Sequence, residues 1–91
     1  MKRTTLKVIQ LNEHTDPDWS ATPPITGVWY TLVFGFRGVE CKIDTTVRSY
    51  SSRSQVSRNL AIQSLNDEIT DTMKQMGFTA GTIRAAIARR R

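Results

Sequence analysis

Apolar and polar residues alternate with a period of two in the middle of the chain. Residues 28–37 and 39–48 are rich in β-branched and aromatic types, which favour strands. Arg37 and Gly38 suit a two-residue turn in which glycine adopts a positive φ angle. We therefore predict a β-hairpin whose strands occupy these two ranges.

The register that pairs Phe36 with Val39 makes one face of this hairpin almost wholly apolar, and that face should line the core. The further pairs on it are Phe34 with Cys41, Leu32 with Ile43, Tyr30 with Thr45 and Val28 with Val47. The opposite face is mainly polar, with Trp29 as its aromatic exception, as expected of a face turned toward solvent.

From residue 52 onward the apolar residues recur with a helical period. Ser52 begins a Ser-Arg-Ser-Gln sequence that fits a capping box, and Gly77 followed by Phe78 fits a Schellman motif. We predict a helix over residues 53–76. Its apolar stripe consists of Ala61, Ile62, Leu65, Ile69, Met73 and Met76, whereas Val56 and Leu60 point to a different side.

A short basic helix is predicted over residues 80–90, with Ile83, Ala86 and Ile87 on one side. A further strand is expected near residues 4–11. Residues 13–26 contain Asp-Pro and Pro-Pro dipeptides and are predicted to form a loop that crosses the sheet, with Trp19 as its anchor. The prediction is an α+β domain over residues 1–91: an antiparallel sheet of about three strands packed against the long helix.

The net charge of +5 is concentrated at the two ends of the chain. Lys2, Arg3 and Lys7 supply three positive charges, and Arg84, Arg89, Arg90 and Arg91 supply four. Such basic segments commonly meet nucleic acid or an acidic protein surface, although a solubilising terminus gives the same pattern. Because Cys41 is the only cysteine, no internal disulfide can form, and we expect a cytoplasmic location. No apolar stretch is long enough to span a membrane.

Catalytic machinery is not evident in the sequence. His14 is the only histidine, and its neighbours Glu13, Asp16 and Asp18 offer only oxygen ligands, so we expect no metal site. The serines between residues 49 and 57 lack a positioned base. No phosphate-binding glycine motif occurs either. The sequence therefore predicts a protein that is not an enzyme and uses no cofactor.

Two basic segments are candidate phosphate-binding sites. Arg48, Arg53 and Arg58 surround the N-terminus of the long helix, where free amides and the helix dipole favour anions. Strands followed by such a helix, over residues 28–65, resemble double-stranded RNA-binding domains, and the resemblance implies contacts to backbone phosphates. Gly77 to Thr79 followed by residues 80–91 resembles the second half of a helix-turn-helix motif, which implies a recognition helix. An ordinary capped helix and an αα-hairpin would show the same patterns.

The leading interpretation is a small nucleic-acid-binding or nucleic-acid-associated accessory protein. Its candidate phosphate contacts are Arg48, Arg53, Arg58, Arg84, Arg89, Arg90 and Arg91. Trp29, with Val33, Arg37, Lys42 and Arg48 on the outward sheet face, could also stack single-stranded bases.

The alternative interpretation is a protein-interaction module, an inhibitor or adaptor of the type that phages and prophages encode. It would dock through Trp29, Val33 and Lys42 on the sheet, or through Val56 and Leu60 on the helix. Homodimerisation through an uncovered strand edge is a third option.

Overall fold

The computed structural model, which describes residues 9–90, is an antiparallel sheet with two helices on one of its faces. The elements are β1 (Ile9–Asp18), β2 (Ile25–Phe36), β3 (Val39–Asp44), β4 (Arg48–Ser51), α1 (Gln55–Gln75) and α2 (Ala80–Ala88). The α+β class, the long helix and the short C-terminal helix are therefore as the sequence predicts.

Strand β2 is the centre of the sheet. It pairs over residues 25–34 with β1 on one side. On its other side it pairs with β3 over residues 31–36 and with β4 over residues 25–28. The third position in the sheet is thus filled by two short strands in line, and β1 forms the opposite edge of the described sheet.

The first strand extends further along the chain than predicted. Within the described residues it spans Ile9–Asp18, whereas the prediction ends at residue 11; the predicted residues 4–8 lie outside the described range. Most of the predicted loop over residues 13–26 is therefore strand, and only residues 19–24 connect β1 to β2. Pro17 does not interrupt pairing because an edge strand needs hydrogen bonds on one side only. Trp19 is 68% exposed, so it does not anchor this connection.

The predicted hairpin turn and most of its register are confirmed. Arg37 and Gly38 have φ angles of 53° and 79°, as a type I′ turn requires. The three pairs that begin with Phe36 and Val39 are present. Tyr30 also faces Thr45, whose amide donates to the Tyr30 carbonyl at 2.8 Å and whose hydroxyl accepts from the Tyr30 amide at 3.0 Å.

The register changes by one residue beyond Thr45, which corrects the predicted pair of Val28 with Val47. Val28 pairs with Arg48 instead. The chain therefore advances three residues from Thr45 to Arg48 while the partner strand advances only two, from Tyr30 to Val28. This is the geometry of a β-bulge, and it divides the predicted strand over residues 39–48 into β3 and β4. Because neighbouring strand residues point to opposite faces, the bulge turns Arg48 toward the helices.

The N-terminus of α1 begins later than predicted. Ser54, not Ser52, is the N-cap, and its hydroxyl accepts from the Ser57 amide at 3.1 Å. The Ser52 hydroxyl instead hydrogen bonds to the Thr26 hydroxyl at 2.7 Å and helps to join β4 to β2. The C-terminal Schellman motif is confirmed, since the amides of Gly77 and Phe78 donate to the carbonyls of Lys74 and Met73.

The core lies between the sheet and the two helices. Five of the six predicted stripe residues of α1 are buried, and Met76 is partly buried against them. Phe78 leads into α2 and packs edge-on against Phe34 at a centroid distance of 5.8 Å. The buried apolar residues are Ile9, Leu11, Val28, Tyr30, Leu32, Phe34, Ala61, Ile62, Leu65, Ile69, Met73, Phe78, Ile83 and Ala86. All of them belong to the helix-facing side of the sheet or to the helices.

Candidate functional site

Glu13 joins three elements at the point where α1 begins and α2 ends. It follows the buried residues Ile9 and Leu11 on the helix-facing side of β1. Its two carboxylate oxygens accept from Arg58 at 3.1 Å and from Arg90 at 3.3 Å. The side chain of Glu13 is 18% exposed, and those of the arginines are 34% and 30% exposed. The structure thus brings together one arginine from each of the two predicted phosphate-binding segments.

Tyr30 lies beside this group, which we call the Glu13 cluster (Glu13, Tyr30, Arg58 and Arg90). The tyrosine is fully buried, and its hydroxyl oxygen has no hydrogen-bond partner within the described residues. The guanidinium carbon of Arg90 lies 5.9 Å from the centroid of the Tyr30 ring. Burial raises the pKa of Tyr30 to about 12; Arg90 opposes the shift and the Glu13 carboxylate adds to it. The hydroxyl therefore stays protonated at neutral pH.

Arg48 is occupied by contacts that stabilise the bulge. Its guanidinium donates to Glu68 of α1 at 2.8 Å, to the Ser64 hydroxyl at 2.9 Å and to the Thr46 carbonyl at 3.1 Å. Glu68 also accepts from the Thr46 amide at 3.1 Å. Arg48 therefore connects the bulge to α1 on the helix-facing side, and it does not belong to the outward sheet face where the sequence places it.

The other predicted phosphate-binding arginines lie on the surface. Arg53 precedes the α1 N-cap and is exposed, as are Arg84 and Arg89 on α2. Arg89 donates to the Ala85 carbonyl of its own helix at 3.2 Å. Arg91 lies outside the described residues. The first turn of α1 contains no acidic residue, so no side chain of that turn offsets the positive end of the helix dipole.

The sheet face turned away from the helices carries a second group of polar and aromatic side chains. His14 of β1 stacks on Trp29 of β2 with a centroid distance of 5.3 Å and an interplanar angle of 26°. The Thr31 hydroxyl donates to Asp44 at 2.6 Å, so it accepts from the Nε2 of His14 at 2.9 Å. This role of His14 is not predicted from the sequence, because the strand was expected to end at residue 11. The alternation of apolar and polar residues from Ile9 to Asn12 was the available signal, and it stops at the charged residue Glu13.

The residues predicted for protein interaction fall on two separate surfaces. Val33 is half-buried and Lys42 is exposed on the same sheet face as Trp29. Val56 and Leu60 lie on the solvent side of α1, where they are 70% and 62% exposed. Arg37 belongs to neither surface, since its guanidinium lies 5.2 Å from the centroid of the Phe36 ring at the hairpin turn.

Neither a metal-binding cluster nor a membrane-spanning helix is found within residues 9–90. No group of three or more histidine, cysteine, aspartate or glutamate side chains in this range could hold a metal ion. None of the helices within it is both long and apolar enough to pass through a bilayer. Cys41 is half-buried at the edge of the core as a free thiol.

Comparisons with known proteins return no match for this chain. The elements define an α+β fold in which an antiparallel sheet is covered on one face by a helix pair. No family model matches the chain. A search of curated proteins and a search of solved structures likewise return no match. The resemblances to RNA-binding domains and to helix-turn-helix motifs therefore rest on the residue patterns alone.

Proposed function

We propose that the chain is a non-enzymatic binding module that associates with nucleic acid through the arginines near the start of α1 and the end of α2. The observation that carries the proposal is the meeting of Arg58 and Arg90 on the single carboxylate of Glu13. Two guanidinium groups and one carboxylate leave one net positive charge in the cluster. That charge lies by an α1 N-terminus whose first turn is free of acidic residues, which suits a phosphate group.

Exposed arginines extend this positive region. Arg53 precedes α1, and Arg84 and Arg89 project from α2 into solvent. The exposed side of α2 otherwise carries small residues, Ala80, Gly81, Ala85 and Ala88, over which a nucleic-acid backbone can approach closely. Arg91 directly follows Arg90 in the sequence and adds a further positive charge. Contacts of this kind bind phosphates without reading base sequence.

The proposal is tested by the salt dependence of binding. Fluorescence anisotropy with labelled duplex DNA, single-stranded DNA and RNA at low and high salt gives the slope of log affinity against log salt. Replacing Arg84 and Arg89 together by alanine should reduce this slope by about 2, because each lost phosphate contact removes about 0.9. The matched control is Lys42→Ala with Lys74→Ala, which removes the same charge from the sheet face turned away from the helices and from the last turn of α1.

Two results would contradict the proposal. One is an absence of binding to all three nucleic acids at low salt. The other is an equal loss of affinity in the arginine and lysine variants, because binding would then depend on total charge and not on the α2 surface.

A second candidate function, docking to another protein, is favoured by the exposure of Val56 and Leu60. These residues are four positions apart, so they form one apolar ridge on the solvent side of α1. The fold makes no use of this ridge within the described residues. Docking there should tolerate salt and be lost in Leu60→Ala, and a pull-down with the parent protein and this variant at high salt distinguishes it from phosphate binding.

A further inference from the structure

The sheet face turned away from the helices, here called the open face, is not covered by any other described element. Both helices pack on the opposite side, and the connection over residues 19–24 leaves Trp19 68% exposed. The open face contains the stacked rings of His14 and Trp29, and Val33 lies further along β2 on the same face. Val47 adds apolar surface to it, because the bulge brings this side chain over Gly27, where a Cβ atom would lie 3.3 Å from the Cγ1 of Val47.

The charge of the open face is opposite to that of the whole chain. Strand alternation places four carboxylates on it and a single lysine, which gives a net charge of −3 with His14 neutral, whereas the chain carries +5. These residues are Asp16, Asp18, Glu40, Asp44 and Lys42. All five are exposed. Phosphate groups are repelled by such a face, so a nucleic-acid backbone is an unfavourable occupant.

The aromatic pair at the centre of the open face is held in place by hydrogen bonds. Asp44 accepts from Thr31, Thr31 accepts from His14, and the His14 ring stacks on Trp29. The indole is thus fixed between strands and flanked by carboxylates. An indole in this setting is a good partner for a guanidinium group, which can stack on the ring while it pairs with a carboxylate.

From this charge reversal and the fixed indole we infer that the open face docks an extended, arginine-bearing segment of a partner protein. Arginine side chains at every second position of such a segment point to one face, as do the residues of the sheet beneath. One guanidinium stacks near Trp29, and its neighbours pair with the carboxylates on the outer strands. The residues involved lie on the other side of the sheet from the arginines of the nucleic-acid proposal, so either surface can function without the other.

Trp29 serves as the reporter of binding in the test. Trp19→Phe leaves Trp29 as the only tryptophan, and its fluorescence is followed during titration with a synthetic peptide that has arginine at alternate positions. Saturable binding is expected. It should weaken about five- to tenfold in Asp16→Asn with Glu40→Gln, since two exposed charge pairs are lost. The matched control is Asp67→Asn with Asp71→Asn, which removes two exposed carboxylates from α1.

Four results would overturn the inference. The first is Trp29 fluorescence that does not change when the arginine peptide is added, and the second is equal binding of the peptide to the two double variants, which indicates non-specific attraction. The third is a single-stranded oligonucleotide that quenches Trp29 more strongly than the peptide, because the face would then be a base-stacking surface. The fourth is self-association that buries Trp29, detected by light scattering of the protein alone, because a second copy would then be the occupant. Circular dichroism of each variant shows that it remains folded.

Discussion

The two faces of the sheet differ in whether their charged residues form ion pairs. On the helix-facing side, Glu13 and Glu68 are each paired with arginines from other elements. On the open face, no ion pair within residues 9–90 includes Asp16, Glu40 or Asp44. The first arrangement joins strands to helices. The second leaves charge at the surface for contact with another molecule.

This difference shows why the net charge is a poor guide to the binding surface of this chain. Of the seven arginines that the sequence suggests for phosphate contacts, Arg48, Arg58 and Arg90 are in ion pairs that stabilise the fold. Residues 9–90 carry nine positive and eight negative side chains, so most of the excess charge comes from the segments outside them. Binding must therefore be assigned face by face.

The largest effect is expected in the core, which lies on the helix-facing side of the sheet. Leu65 is fully buried, and Leu65→Ala should lower the free energy of unfolding by about 4 kcal/mol. Val33→Ala on the open face should cost less than about 1 kcal/mol, because that side chain is only half-buried. Urea denaturation of both variants measures the difference. Similar losses would mean that the open face is as well packed as the core.

The next largest effect is the decrease in the free energy of unfolding that ionisation of Tyr30 should cause at high pH. Its pKa of about 12 in the folded protein lies above the ordinary value of 10, so ionisation of Tyr30 does not affect stability below pH 10 and lowers it as the pH rises from 10 to about 12. A shift of two units corresponds to about 3 kcal/mol. Comparing parent and Tyr30→Phe by urea denaturation across this range isolates the effect. A constant difference between them would contradict the assignment.

At neutral pH, Tyr30→Phe should be neutral or slightly stabilising, because the buried hydroxyl has no hydrogen-bond partner within the described residues. A loss of more than about 1 kcal/mol would show that the hydroxyl is satisfied in solution.

Glu13→Gln tests whether the Glu13 cluster holds the helices to β1. The substitution leaves Arg58 and Arg90 without their carboxylate, and we expect a loss of about 1.5 kcal/mol, moderated by the partial exposure of both arginines. Glu40→Gln on the open face is the matched control and should change little. The Glu13 variant should also bind nucleic acid more tightly than the parent, because two arginines are released. Weaker binding of nucleic acid by the Glu13 variant would show that the Glu13 cluster is not part of the phosphate-binding site.

A smaller loss than that of Glu13→Gln is expected at the bulge. Glu68→Gln removes the charge that pairs with Arg48 while keeping a group that can accept from the Thr46 amide, and we expect a loss of about 1 kcal/mol. Asp71→Asn on the exposed side of α1 should have no measurable effect. Thermal unfolding of the two variants provides the comparison. Equal melting temperatures would show that the ion pair between Arg48 and Glu68 does not stabilise the fold.

Periodicity and turn chemistry predict most of this fold. The two glycine signals, at Gly38 and Gly77, mark a turn and a helix end that the structure confirms, because positive φ angles there exclude most other residues. The apolar stripe on α1 is also predicted correctly, because the residues that a helix buries on one side must recur with the helical period.

The predictions that the structure corrects share one physical origin. Each concerns residues whose partners are distant in the sequence. The bulge at Thr45 to Arg48 is stabilised by Glu68, and Ser52 is held by Thr26, so neither is visible in a local pattern. The extension of β1 to Asp18 depends on β2 as its partner, which outweighs the turn-forming tendency of the Asp-Pro sequence. The ion pairs of Glu13 depend on the docking of α2, which sequence spacing does not reveal.

The central claim is that nucleic acid and a basic protein segment use opposite sides of the molecule. A titration of isotopically labelled protein with duplex DNA, followed by two-dimensional NMR, tests it residue by residue. We predict shifts of the amides at residues 53–58 and 84–90, while the Trp29 indole and the amides of Val33 and Lys42 remain unchanged. Shifts concentrated at Trp29, Val33 and Lys42, with residues 84–90 unaffected, would contradict it.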